Sequence, residues 1–249
     1  MKLLRQAQAS YIFCMKVAIS QSNYIPWKGY FDSIAFVDLF ILYDDVQYTR
    51  RDWRNRNRIK TPQGLKWLTI PVEVKGKYYQ KINETRVSDA EWAEDHWKTI
   101  LTYYRRAPGF DFFAERLEKL YQSIDSPLLS EINQYFLQTI CDWLEIKTVI
   151  KPSQEFTLVE GKTERLVNLC QQVGATDYYS GSAAKAYIDE ALFAEAGIQL
   201  HYWDYSGYAE YPQLHGEFEH GVSILDLLLS TGEHCRQYLK LNNYDKNLA

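Results

Sequence analysis

The sequence predicts an α/β fold: a mostly parallel, Rossmann-like sheet flanked by helices, with a β-hairpin and a helical insertion. Three observations carry that expectation. Strand-length apolar runs at Lys16–Ser20 (KVAIS) and Val37–Tyr43 (VDLFILY) enclose a short amphipathic stretch, the pattern of a βαβ unit. Across residues 88–146 the apolar period becomes helical. The last hundred residues return to alternating strand and helix patterns.

Taken in order, Lys16–Ser20 is a short buried strand, followed by the turn-rich QSNYIPWKG and an amphipathic stretch from Tyr30 to Phe36. Past Asp38, VDLFILY is continuously apolar and ends at Asp44, as a strand buried on both faces does. Ligands in open α/β sheets gather outside the carboxyl ends of strands, so Gln21–Trp27 and Asp44–Tyr48 are expected to face one another. Arg58–Lys60 and Lys66–Val74 flank Thr61-Pro62-Gln63-Gly64, a hairpin turn in which Gly64 is free to take positive φ; Pro71 puts the second strand near an edge.

Ser88–Arg105, Asp111–Gln122 and Pro127–Leu144 repeat apolar residues at spacings of three and four. The stripe Ile132, Tyr135, Phe136 and Ile140 reads as core. Then follow a strand at Thr148–Lys151, a helix at Lys162–Val173, a strand at Asp177–Tyr179 and the turn Ser180-Gly181. A helix through Lys185 and Tyr187, a strand at Gln199–Trp203 and a helix capped by Ser223 and closed near Gly232 complete the series. No linker or internal repeat separates the halves. Residues 15–249 are therefore expected to form a single domain with the helical insertion at about 88–146, and residues 1–14 an extension upstream of a start at Met15.

Composition narrows the function. The chain is 46% hydrophobic with a formal charge of -4, so it folds around a core and lacks the basic surface of a nucleic-acid binder. No segment reaches the 18 or so apolar residues that span a membrane, and the chain is expected to be cytoplasmic. Cys14, Cys141, Cys170 and Cys235 form no CxxC pair and read as reduced, buried thiols.

Against this acidic background, Asp44–Lys60 reads DDVQYTRRDWRNRNRIK. Arginines beside indole and amides grip phosphate bidentately and stack on planar groups, so Gln47, Arg51, Trp53, Asn55, Arg56 and Asn57 are candidate binding residues for a small anion. Asp44 and Asp45 are the candidate acid/base pair, with pairing to a neighbouring arginine as the alternative. Gln21, Asn23, Tyr24 and Trp27 offer hydrogen bonds and a stacking face, or else cover the sheet edge. Ser180, Gly181, Ser182 and Lys185 form a small-residue turn before an expected helix, suited to an anion or to simple capping. The five histidines show no metal-ligand spacing, no GxSxG nucleophile is present, and nothing in the sequence names a cofactor.

These segments together resemble the WbqC-like family. The resemblance runs from Met15 almost to the C-terminus, through QSNYIPWKGYFDSI, DDVQYTRRDWRNRNRIK with LTIPV, KTERL, YYSGSAAKAYID, and YPQ followed by SILDLL. Where relatives open the first loop with His-Gln-Pro, this chain has Ser20-Gln21-Ser22. The resemblance implies a place in O-antigen or other surface-polysaccharide biosynthesis, and transfer of a small acyl or aminoacyl group, glycyl included, to a nucleotide- or phosphate-linked sugar. Two other readings stand beside it: a nucleotidylyltransferase-like enzyme, whose HxGH motif is missing from Pro26-Trp27-Lys28-Gly29-Tyr30, and a non-catalytic protein binding an anion or RNA.

Overall fold

The computed structural model describes residues 14–240, so the expected N-terminal extension lies, apart from Cys14, outside the described residues. In chain order the strands are β1 (Lys16–Ser20), β2 (Leu39–Leu42), β3 (Arg56–Thr61), β4 (Gly64–Thr69), β5 (Val149–Pro152), β6 (Asp177–Ser180) and β7 (Gln199–Tyr202). The α-helices are α1 (Lys28–Ala35), α2 (Trp92–Tyr104), α3 (Phe110–Gln122), α4 (Leu129–Trp143), α5 (Thr163–Gln172), α6 (Glu190–Glu195) and α7 (Ile224–Thr231).

Five strands form an entirely parallel sheet in the order β5-β2-β1-β6-β7, and β3 pairs with β4 in a separate antiparallel hairpin. The α/β expectation is met. Alternation along the strands explains their apolar runs: Val17, Ile19, Leu39 and Ile41 pack with Leu166, Leu169, Phe193 and Ile198 of the α5–α6 side. Ala18, Phe40 and Leu42 instead join Phe31 and Ile34 of α1 and the apolar faces of α2, α3, α4 and α7. With both faces covered, no position in β2 tolerates a polar side chain.

The order also locates the crevice. From β1 the chain builds outward through β2 to β5, then crosses back to place β6 and β7 on the other side of β1. Successive crossovers therefore diverge between β1 and β6, and the loops leaving their carboxyl ends part to leave an opening.

Three sequence expectations change. The hairpin turn is Pro62-Gln63, with Thr61 opposite Gly64 and Gly64 at φ 104°, but the second strand stops at Thr69 rather than Val74. Ile70 makes a last backbone bond to Asn55, and Pro71, without an N–H, cannot extend the ladder. The helix expected through Lys185 and Tyr187 is a 3-10 turn at Ser182–Ala186. Asp189 ends it by capping α6 through Ala191 N and by donating its own N–H to Thr163 Oγ1. Of the four thiols, Cys14 is exposed while Cys141, Cys170 and Cys235 are buried and free. Burial pushes Cys170 up to about 12 and Cys235 up to about 11, so both stay protonated.

The helical insertion meets α7 through one unusually close approach. A Cβ on Gly109 would lie 2.1 Å from Gly232 N, so only glycine lets the start of α3 meet the end of α7.

Candidate functional site

The loop Gln21–Trp27 leaves β1 under strain. Ile25, a β-branched residue, has φ 37°, a conformation that costs on the order of 1–3 kcal/mol and persists only when the surroundings enforce it. Asn57 enforces it: its Nδ2 donates to the carbonyl oxygens of Tyr24 at 3.2 Å and Ile25 at 3.0 Å. Tyr24 N donates to Trp53 O at 3.1 Å, and Ile224 N to Pro26 O at 2.8 Å, so the loop is clamped between the hairpin approach and α7. Tyr24 itself is fully buried, its hydroxyl bonded to His96 Nδ1 and Tyr121 OH.

Asp44 acts on the same loop from β2. Its Oδ1 accepts from Ser22 N at 2.8 Å, and the carboxylate is 2% exposed. Burial pushes its pKa up, against the pull of the Ser22 donors and the charge of Arg54. Asp45 is held by Ser153 Oγ at 2.7 Å, Asn83 Nδ2 at 3.0 Å and Lys81 Nζ at 3.8 Å. Both carboxylates join strand ends to neighbouring loops. Neither faces the crevice.

Between the carboxyl ends of β1 and β6 lies a cleft of about 830 Å³. Gln21, Asn23, Trp27, Trp53, Ser180 and Gly181 line it, so three separate sequence segments singled out as candidates converge there. Other candidates do not. Asn55 is buried and donates to Ile70 O at 2.8 Å, inside the hairpin base. Arg56 stacks 4.0 Å over Trp67 and bonds Arg51 O, while Arg51 sits in the turn at φ 58°. Gln47 donates to Tyr78 O beside a different hollow that includes Arg50 and Lys77. Ser182 lies outside the cleft wall, and Lys185 Nζ rests 4.8 Å over the Tyr202 ring. Five residues of 3-10 turn give Ser182–Ala186 no developed dipole for an anion.

The positive charge of the cleft comes from residues that lie in the arginine cluster and the KTERL segment but are not among the candidate site residues. Arg54, Lys162 and Arg165 line it, with Glu160 as the carboxylate on the wall. Arg165 Nε donates to Val159 O at 2.7 Å, which fixes one side of the guanidinium. Burial raises the Tyr43 pKa, and a hydrogen bond from Arg165 opposes the rise. Arg54 is aimed by Asp52 at 3.6 Å, and its Nε is buried with no hydrogen-bond partner. Tyr30, Tyr187 and Tyr205 add aromatic surface, and Trp27 meets Tyr205 edge-on at 5.3 Å. Three cations, ringed by aromatic faces and amides, provide for an anion attached to something planar or sugar-like. Among the described residues, no group of three or more His, Cys, Asp or Glu side chains is placed to hold a metal ion. No described helix is long and apolar enough to cross a membrane.

The model of the WbqC-like protein family matches residues 21–238, which include every residue lining this cleft except Ile19 and Ser20 at the end of β1. The chain belongs to that family. A relative from Mycobacterium tuberculosis (strain ATCC 25618 / H37Rv), "Uncharacterized protein Rv1507c", is 52% identical over 225 residues, covering 90% of this chain and 97% of the relative. No solved structure matches. The WbqC-like segment KTERL, Lys162–Leu166, belongs to the resemblance in the sequence and carries Lys162 and Arg165 onto the cleft wall.

Proposed function

We propose that this WbqC-like protein is a transferase of bacterial surface-polysaccharide biosynthesis that binds a nucleotide- or phosphate-linked sugar and acylates or aminoacylates it. The observation that carries this reading is the meeting of Arg54, Lys162 and Arg165 with Trp27, Trp53 and Tyr205 around one cleft at the switch point of a parallel sheet. The cations meet a diphosphate, and the rings and amides meet a base or sugar. A cleft of about 830 Å³ is in the range of sites that enclose a nucleotide-sized ligand.

The chemistry assigned to the site is direct transfer. A sugar amine attacks the carbonyl carbon of an activated acyl ester or thioester; the new C–N bond forms as the C–O or C–S bond breaks. Glu160 takes the proton lost by the amine and returns it to the departing alkoxide or thiolate. Positioning and proton transfer supply the acceleration, and no protein nucleophile is needed. Glu160 thus takes the role that the sequence reading gave to Asp44 and Asp45, whose side chains hold the loops instead.

Thermal shift against UDP-, dTDP- and CDP-sugars tests the binding half of the proposal. One class should raise the melting temperature, and Lys162→Ala and Arg165→Gln should each weaken its affinity roughly tenfold, the cost of a lost charge-assisted hydrogen bond. No response to any of the three at millimolar concentration overturns it. Exchange of labelled pyrophosphate into a nucleoside triphosphate would identify a nucleotidylyltransferase instead.

A further inference from the structure

Asn23, Trp27 and Trp53 line not only the main cleft but also a second hollow of about 350 Å³, closed by Pro26, Arg58 and His220. Its chemistry differs from that of its neighbour. No carboxylate lines it, and two of its polar side chains, Asn57 and Arg58, are engaged with the protein's own backbone. Asn57 Nδ2 is used up clamping the strained loop, and its Oδ1 accepts from Arg58 N at 2.8 Å. Arg58 turns Nε and Nη2 onto Gly221 O at 3.1 and 2.7 Å. The same guanidinium lies 5.6 Å from the Trp53 ring, which is backed by Trp67 at 5.4 Å. The indole is thus held in place from the hairpin side.

What the hollow offers a ligand is two indoles, a proline ring, the exposed His220 imidazole and the Asn23 amide. Asn23 Oδ1 is buried and has no partner, a condition that costs a folded protein free energy unless something is meant to meet it. Flat aromatic surface takes the C–H face of a pyranose ring, and an isolated amide oxygen takes one of its hydroxyls. Arg58 is its one cation against three next door, so a diphosphate is drawn to the main cleft first.

We infer that the 350 Å³ hollow is the sugar subsite, holding the pyranose ring of the nucleotide-linked substrate against Trp27 and Trp53 while the main cleft holds its diphosphate. The inference rests on the function proposed above and adds where the sugar sits and which residues select it. Trp53 and Asn23, which line both spaces, stand where the two halves of one substrate join.

The test compares each nucleoside diphosphate with its sugar-linked form by calorimetry, using UDP, dTDP and CDP and their hexose derivatives. The sugar-linked form of the accepted nucleotide should bind at least fivefold more tightly than the bare diphosphate. Enlarging the exposed rim residue with His220→Trp should erase that gain and leave affinity for the bare diphosphate unchanged. Asn23→Ala, which deletes the acceptor without filling space, should remove most of the gain as well. A bare diphosphate that binds as well as its sugar derivative, or a gain that survives His220→Trp, overturns the subsite. Failure of every diphosphate and every sugar derivative to bind overturns the proposed function itself, a different and separable result.

Discussion

Asn133 Nδ2, fully buried in α4, donates to the backbone carbonyl oxygen of Arg54 at 2.8 Å. The same amide reaches Ser22 Oγ at 3.0 Å. One side chain of the helical insertion therefore fixes both the cleft arginine and the loop after β1. Asn133→Ala is expected to lower unfolding free energy by about 2 kcal/mol, since it leaves a buried carbonyl unmet. It should also weaken nucleotide-sugar binding, because Arg54 loses its footing. Urea titration and calorimetry on the same preparation check both effects, and binding unchanged in the destabilised variant would show that α4 does not position the site.

Asp44 and Lys162 should separate structure from binding. Asp44→Ala removes the acceptor for Ser22 N from a nearly inaccessible position and should cost about 1–3 kcal/mol of stability. Asp44→Asn, which keeps an acceptor oxygen, should restore most of the loss. Lys162 is exposed at the cleft wall, and Lys162→Ala should leave the melting temperature of the free protein where it was while reducing ligand protection. If Asp44→Asn instead abolished turnover in a fully stable protein, the carboxylate would be catalytic, as the sequence alone suggested.

The fold was legible because its strands advertise themselves: Leu39–Leu42 is apolar at every position, and the helical insertion keeps its period through α4. The site was half legible. Gln21–Trp27, Trp53 and Ser180-Gly181 could be placed at strand ends by topology alone, and they do meet. The arginines could not be sorted, because DWRNRNRIK alternates residues whose directions depend on a turn and then a strand. Arg54 turns to the cleft, Arg56 stacks on Trp67, and Arg58 bonds Gly221 O. Nothing local distinguishes them. Lys162 and Arg165 look like an ordinary solvated helix start, and only the crossover that sets α5 beside the cleft gives them a partner.

Gly109 should be intolerant of the smallest change. An added Cβ meets Gly232 backbone atoms at 2.1 and 2.6 Å, and backbone, unlike a flexible side chain, cannot swing aside. Gly109→Ala is expected to destabilise the protein by roughly 1–3 kcal/mol, as overpacking does, with no effect on ligand affinity at temperatures where the variant is folded. Gly181→Ala is the control, since nothing lies within 4 Å of its added Cβ and stability should hold. Equal melting temperatures for Gly109→Ala and wild type would mean that α3 and α7 separate at little cost.

His96 should write a pH dependence into stability. Burial lowers its pKa from 6.5 to about 4, a hydrogen bond to Thr69 O opposing the shift, and its Nδ1 meets Tyr24 OH beneath the strained loop. The unfolded chain thus takes up this proton before the folded one does. His96's contribution is fully present above pH 6.5 and is lost as pH falls through about 4. The difference between 6.5 and about 4, at 1.36 kcal/mol for each unit, amounts to about 3 kcal/mol. His96→Gln cannot take up the proton, so comparing it with wild type cancels the buried carboxylates Asp32, Asp44 and Asp226, whose pKa values are all raised. The stability of the variant relative to wild type should therefore improve by about 3 kcal/mol between pH 7 and pH 4, with most of the change below pH 6. Urea unfolding of both proteins at half-unit steps measures it, and a difference that stays constant with pH would mean that His96 is as readily protonated in the folded chain as in the unfolded one.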